Sequence, residues 1–296
     1  MARNPSKQGK WSRRLSPGCD ASAGWSARSA GISVTSVRAT NRYPTSVRAL
    51  VVVPTYREAE NIQEALERVR AAAPEVDVLV VDDSSDDGTA DIARATGGRL
   101  GRVELLSRPE KTGLGEAYRA GLAVGLDRGY EALVQMDADL SHDAAVLPSL
   151  LAGLEAGADV VIGSRYVPGG SIPHWPWFRR ALSRYGNRYA GFVLGLKVRD
   201  ATSGYRAFRA DALQAIDIVS TRSKGYGFQI ETAYRVSRWR GRVTEVPIVF
   251  TDRVRGYSKM TWGIFAEELL LVTWWGFRDR VLRMGRKRIV RDTSAD

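Results

Sequence analysis

The chain is short of several things. It has one cysteine, Cys19, in 296 residues, so no disulfide framework can form within it, and a reducing compartment is expected. Its two histidines, His142 and His174, leave little imidazole for acid–base work. No apolar run reaches the 18 or more residues that a bilayer-spanning helix needs; the longest, Leu269 to Phe277, is about half of that. The Arg-rich N-terminal stretch lacks the continuous apolar core of a secretory signal. No internal repeat is visible.

What is present reads as a globular protein, 44% hydrophobic and 26% charged. The formal charge of +11 suggests nucleic acid, but its distribution argues otherwise. Residues 1–46 hold eight Lys/Arg and one Asp; residues 278–291 hold seven Lys/Arg and one acid; the last five carry two Asp. Residues 47–277 are therefore neutral, and the ends are basic. Basic ends beside Trp-rich sequence suit an anionic membrane surface at least as well as a nucleic acid. We expect no nucleic-acid partner. Residues 1–46, rich in Ser, Arg, Gly and Ala without a period, are expected to be a disordered basic tail.

From Ala49 strand and helix alternate. Strands are expected at Ala49–Pro54, Val76–Val81, Arg102–Leu106, Ala132–Met136 and Asp159–Gly163, with helices at Glu58–Ala72, Thr89–Ala95, Gly113–Asp127 and Ala144–Glu155. Five such alternations predict an α/β fold: a mostly parallel sheet with helices on both faces. Later come a loop at Gly169–Pro176, a basic amphipathic helix at Phe178–Leu196, and a polar turn at Asp200–Gly204. A short strand Tyr205–Arg209, a helix Gln229–Trp239 and a strand Val243–Phe250 follow. Pro247 places that last strand at a sheet edge. Thr251–Lys259 is a polar loop, and Thr261–Arg283 a final amphipathic helix.

Ligands of parallel sheets lie off the carboxyl ends of the strands. Three acid-bearing turns follow strands directly: Pro54-Thr-Tyr-Arg-Glu58, Asp82-Asp83 and Asp137-Ala-Asp139. They should line one crevice. Two carboxylates as close as Asp137 and Asp139 repel unless a cation joins them, and Mg²⁺ takes one or two carboxylates together with phosphate oxygens. Acids after strands also cap helices, so a cap before Gly88-Thr89 is the alternative reading of Asp83. Arg165, after Gly163-Ser164, reads as a phosphate contact or as a surface arginine.

Val52-Val-Pro-Thr-Tyr-x-Glu58, Val80-Val-Asp-Asp-Ser-Ser-x-Asp-Gly-Thr89, Met136-Asp-Ala-Asp-Leu-Ser-His142 and Gly163-Ser-Arg165 together resemble family 2 glycosyltransferases. With Thr251-Asp-Arg-x-x-x-Tyr-Ser-Lys-Met260, the chain most resembles the dolichol- or polyprenol-phosphate mannosyltransferases, over about residues 47–277. The resemblance implies a single Rossmann-like, GT-A type nucleotide-diphospho-sugar transferase domain at 47–260. Residues 261–296 would form a membrane-associated helix and tail. It implies GDP-mannose as donor. Pro54, Tyr56 and Glu58, with Val81 and Asp83, would form the nucleoside pocket. Asp137, Ala138 and Asp139 would hold the diphosphate and Mg²⁺ or Mn²⁺, and Arg165, Arg253 and Lys259 the phosphates. In some relatives the position of Ser141 is Gln and reaches the metal; the shorter Ser141 would do so through a water. Arg57 stands where Asn is commoner.

The implied reaction is an in-line displacement at the anomeric carbon by a polyprenyl phosphate oxygen, with GDP leaving. A phosphate whose second pKa is near 6 is already an anion at pH 7, so no essential general base is expected. Glu231 is the position where a base would stand, and His142 reads as a supporting or capping group. Arg179 and Arg184, on the helix that also carries Arg180 and Phe192, would meet the acceptor phosphate; an amphipathic helix with a solvated basic face is the alternative. The aromatic run from Trp262 to Phe277, followed by basic residues, suits peripheral attachment to the cytoplasmic face of a membrane, with room for a separate anchoring subunit. Packing on the catalytic domain is its alternative. Other functional readings are a transfer from another nucleotide sugar such as UDP-glucose, or a nucleotide-binding module without catalysis.

Overall fold

The computed structural model describes residues 47–223, 225–252 and 269–278. The β-branched run at the start forms β1 (Ala49–Thr55), whose seven residues are all buried. Alternate side chains serve opposite faces. Val51 and Val53 enter one core cluster, and Leu50 and Val52 the other. Burial on both faces is what a central parallel strand requires.

The chain continues as α1 (Ile62–Ala72), β2 (Asp77–Asp82), α2 (Thr89–Leu100), β3 (Val103–Ser107), α3 (Leu114–Asp127) and β4 (Ala132–Gln135). It goes on through α4 (Leu147–Glu155), β5 (Val160–Ser164), α5 (Trp177–Leu194), β6 (Arg206–Arg209), α6 (Ala210–Ala215), α7 (Gly225–Trp239) and β7 (Val243–Pro247). Residues 269–278 are helical and are called α8. The sheet runs β3-β2-β1-β4-β6-β5-β7. Only β6 is antiparallel to its neighbours, so the expected α/β fold with a mostly parallel sheet is what forms.

Glycines set how closely α3 lies on the sheet. A Cβ on Gly121 would stand 2.3 Å from a Val52 methyl, and one on Gly125 2.3 Å from a Leu133 methyl. The bare backbone therefore sits directly on β1 and β4, and this brings Tyr118 of α3 to the carboxyl edge.

Several boundaries differ from expectation. The first helix begins at Ile62 rather than Glu58, because residues 57–59 are held in a turn against the β2–α2 segment: Arg57 N–H donates to Ser85, Glu58 N–H to Thr89 and Ala59 N–H to Asp87. The second runs past Ala95 to Leu100, where Gly97 packs against Val103. β7 stops at Pro247, which lacks a ladder donor, and lies at the sheet edge as expected. α6 and the short Ile218–Ser220 turn were not anticipated, and α7 starts four residues before Gln229. Among the described residues no helix is long and apolar enough to cross a membrane.

Candidate active site

In the sheet β1 stands between β2 and β4, so the turns after these three strands are neighbours. Hydrogen bonds knit the turns after β1 and β2. Thr55 at the end of β1 donates from its hydroxyl to Asp82 at 2.8 Å, and the Asp83 N–H donates to the Thr55 carbonyl at 3.0 Å. Asp82 also accepts from the Ser85 hydroxyl at 2.6 Å, so its carboxylate shapes the turn. Arg57, at φ +57°, lies in the left-handed region that suits Asn. A bidentate pair with Asp86, both contacts 2.7 Å, holds it there.

Asp83 is buried and accepts from Arg108 at 2.7 Å. Burial lifts its carboxyl above the usual carboxylate range, against the opposing pull of Arg108 and of the backbone at Gly113 and Thr112. The capping alternative for Asp83 fails: Asp87 accepts from the Thr89 N–H and hydroxyl instead. Tyr56 carries the Lys111 ammonium 3.8 Å above its ring. Pro54 and Val81 are buried. A Val81 methyl faces the Gly121 position of α3, so Val81 packs in the core beneath that helix. Glu58 accepts from Asn61 at 2.8 Å and is part-buried.

After β4, each carboxylate of the pair is held by a hydroxyl. Tyr118 donates to Asp137 at 2.6 Å, and Ser141 to Asp139 at 2.5 Å. Burial, then the charge of Asp137, raise the Tyr118 phenol well above its ordinary value, so it stays a donor. The turn bends through Leu140 at φ +62°. His142 Nδ1 accepts from the Asp137 N–H at 3.1 Å while its ring stacks on Tyr205 at 5.0 Å. That contact makes His142 a clasp for the turn. Asp137 is half-buried between Tyr118 and Gly204, where an added Cβ would stand 3.5 Å from its carboxylate. Ala138 and Asp139 are buried. Among the described residues no third His, Cys, Asp or Glu joins the pair. Two hard oxygen donors at a sheet edge fit Mg²⁺ or Mn²⁺ with the remaining ligands drawn from phosphates and water.

Arg165 differs from its expected orientation toward the crevice. Its Nε and Nη2 donate to Asp200 at 2.7 and 2.6 Å, and Nη2 also to Thr202 at 2.7 Å. Burial alone would raise the Asp200 carboxyl, but the charge and hydrogen bonds of Arg165 outweigh it and hold it below the usual carboxylate range. The same guanidinium lies 5.4 Å from the ring centres of Tyr166 and Phe250 and 5.8 Å from Trp175. Arg179 caps Trp175 at 3.8 Å and Arg184 lies 5.7 Å from Tyr166, so both acceptor-side candidates belong to this arginine–aromatic wall. Phe250 meets His142 edge-on at 5.8 Å, which joins the wall to the acidic turn. Thr251 donates to the Leu140 carbonyl at 3.3 Å. Arg253 and Lys259 lie outside the described residues.

Glu231 is saturated: one oxygen accepts from the Arg222 and Ser223 N–H groups at 3.1 and 2.9 Å, the other from Arg235 at 2.8 Å. Sequence reasoning missed Arg108, Lys111, Tyr118 and Gly204. Arg108 had a signal, since it follows β3 as Asp83 follows β2. Tyr118 had none, because its role depends on how close α3 lies.

A doubly covered, mostly parallel sheet with acid-bearing turns meeting at the carboxyl ends of β1, β2 and β4 is the frame of GT-A type nucleotide-sugar transferases. Residues 50–217 match the model of the family described as Glycosyl transferase family 2. The chain belongs to this family. It is 49% identical over 234 residues to an undecaprenyl-phosphate mannosyltransferase of Micrococcus luteus, covering 79% of this chain and 96% of that one. It is 47% identical over 237 residues to a polyprenol monophosphomannose synthase of Mycolicibacterium smegmatis, covering 80% and 89%. A glucosyl-3-phosphoglycerate synthase from Mycobacterium tuberculosis, solved with Mn²⁺, UDP and glucosyl-3-phosphoglycerate, shares the fold at TM-score 0.58 and 18% identity, over 84% of this chain and 82% of that one.

Proposed function

We propose that the chain transfers mannose, with inversion, from GDP-mannose to a polyprenyl monophosphate, giving the polyprenyl-phosphate-mannose and GDP. The observation that carries this is the convergence of Asp83, Asp137 and Asp139 at one sheet edge, in a chain so similar to two polyprenyl-phosphate mannosyltransferases.

Asp83, paired with Arg108, receives the N–H edge of guanine, and Tyr56 and Glu58 flank the nucleoside. Asp139, oriented by Ser141, and Asp137, oriented by Tyr118, are the ligands of Mg²⁺ or Mn²⁺. When bound there, the cation neutralises charge that grows on the leaving diphosphate. Ser141 acts chiefly through Asp139, since its hydroxyl already donates to that carboxylate. Arg165 positions the aromatic wall through Asp200. Arg179 and Arg184 on that wall, with Arg253 and Lys259, supply cations for the phosphates. The acceptor oxygen attacks as an anion, so Glu231 is free to serve the fold.

The protein docks peripherally on the cytoplasmic face of the membrane. Trp177, Phe178 and Phe192 of α5 and Leu270, Trp274 and Phe277 of α8 are all exposed, and such residues at an aqueous surface suit an apolar interface. Incubation with labelled GDP-mannose, Mg²⁺ or Mn²⁺ and a short polyprenyl phosphate should yield an organic-extractable mannolipid. Extractable label arising from UDP-glucose and not from GDP-mannose would refute the donor assignment.

A further inference from the structure

A cleft of about 1020 Å³ lies between α7, α8 and the Ala215–Ser220 segment, and none of the acid-bearing turns lines it. Four arginines face it: Arg222, Arg235, Arg238 and Arg278. Its acids are Asp217 and Glu231. Arg235 is consumed by structure. It pairs with Glu231 and donates to the carbonyls of Ile216, Asp217 and Ser220. Arg222 and Arg278 then face the single carboxylate of Asp217. Arg222 is exposed. Arg278 holds its Nε buried without a hydrogen-bond partner. An unpaired buried donor is costly, at about 1–3 kcal/mol. A guanidinium in that state matches an oxyanion, phosphate above all, by its fork geometry.

The surroundings specify the anion further. Trp239, Trp274 and Trp275 line the cleft. Trp275 stacks on Tyr234 at 5.7 Å and forms a fixed wall, whereas Trp274 is 59% exposed at the rim. Indole rings beside cations belong at the headgroup level of a bilayer. The segments outside the described residues are each net basic. Residues 1–46 carry eight basic side chains against one acidic, 253–268 three against two, and 279–296 six against three.

We propose that this cleft binds the phosphate of an anionic membrane phospholipid distinct from the reacting acceptor, with Arg222 and Arg278 as its cations and Trp274 in the surrounding headgroup layer. The site rests on the peripheral membrane docking inferred above and gives it lipid selectivity.

The test is sedimentation of the full chain with phosphatidylcholine vesicles, with and without phosphatidylglycerol. The wild type should prefer the anionic vesicles. Arg222→Gln with Arg278→Gln should weaken that binding by about fivefold per arginine removed and leave binding to phosphatidylcholine unchanged. A charge-matched pair on α1 and α2, Arg68→Gln with Arg94→Gln, should shift it less than about twofold. Mannosyl transfer to a short water-soluble polyprenyl phosphate, without vesicles, should be alike in all variants and shows that each is folded. Failure of that assay in the wild type strikes the proposed reaction and leaves the vesicle comparison readable. Equal losses in the two double variants, no preference for anionic vesicles in the wild type, or competition by glycerol phosphate at the same phosphate concentration would each overturn the proposal.

Discussion

Two regions of the molecule handle polar and apolar groups in opposite ways. At the β1–β2–β4 edge the acids are held by named donors: Asp82 by Thr55 and Ser85, Asp83 by Arg108, Asp137 by Tyr118, Asp139 by Ser141. At the α5–α8 side the reverse holds. α5 buries only Asn187 and Ala190, while Phe192 is 78% exposed and Trp177 75%. Tyr189 of α5 meets Thr273 of α8 at 2.7 Å, and Val272 and Trp275 of α8 pack with Ala190 and Tyr234. Packing on the domain and an outward apolar face, alternatives by sequence, are thus both present in α8. In the first region each of these acids has its hydrogen-bond donor. The second exposes apolar area that water does not favour, at roughly 25 cal/mol per Å².

Four variants sharpen or break this contrast. The strongest effect is expected where the regions join, at the buried Arg165–Asp200 pair. Asp200→Asn leaves Arg165 buried without its counter-charge and should cost about 3–5 kcal/mol in a denaturant melt. The sign with pH follows from a carboxyl held below its ordinary value: its stabilisation is complete above the unfolded pKa and is lost as pH falls through the lower folded one. The wild type should therefore lose stability steeply only in strong acid, and Asp200→Asn should flatten that loss. A wild-type acid slope that the variant leaves untouched would remove the pair from this role.

Next, Asp139→Asn should lower transfer about 10²–10³-fold with an unchanged melt, as expected when charge stabilisation of a leaving group is lost. An equal fall in melting temperature would make Asp139 structural. Tyr118→Phe removes one hydrogen bond to a carboxylate and should cost roughly tenfold in kcat, with a higher divalent-cation requirement. If activity is unchanged at every metal concentration, Tyr118 does not orient Asp137. The smallest effect on turnover is expected from Trp274→Ala with Phe277→Ala. Transfer to a soluble acceptor should stay within about twofold, while vesicle binding falls by about tenfold or more with the lost apolar area. Retained vesicle binding would show that the exposed face of α8 is not the docking surface.

Legibility in the sequence followed the same division. Strands such as Ala49-Leu-Val-Val-Val and acids placed directly after them are local patterns, so the sheet and the positions of Asp83, Asp137 and Asp139 could be read. Arg165 was read as reaching the crevice, but its partner Asp200 lies 35 residues away and no local pattern announces that pair. Tyr118 depends on the spacing between α3 and β1, set by Gly121. The opening of α1 was misplaced because three backbone N–H groups there bond to Ser85, Thr89 and Asp87 across the turn. Periodicity alone does not report bonds of that kind.

β6 runs against its neighbours, and this has a consequence for how such a transferase can change. An antiparallel strand starts at the edge where parallel strands finish. The turn before it, with Asp200 and Gly204, is therefore delivered to the same rim as Asp137 without a long excursion. The acid-bearing turns come from residues 54–142, whereas this rampart arrives later in the chain, between α5 and β6, the strand that enters the sheet between β4 and β5. The two sides of this rim are thus carried by separate stretches of sequence, and length changes in the 195–199 connection can reach the Asp200 side without passing through the turns after β1, β2 and β4.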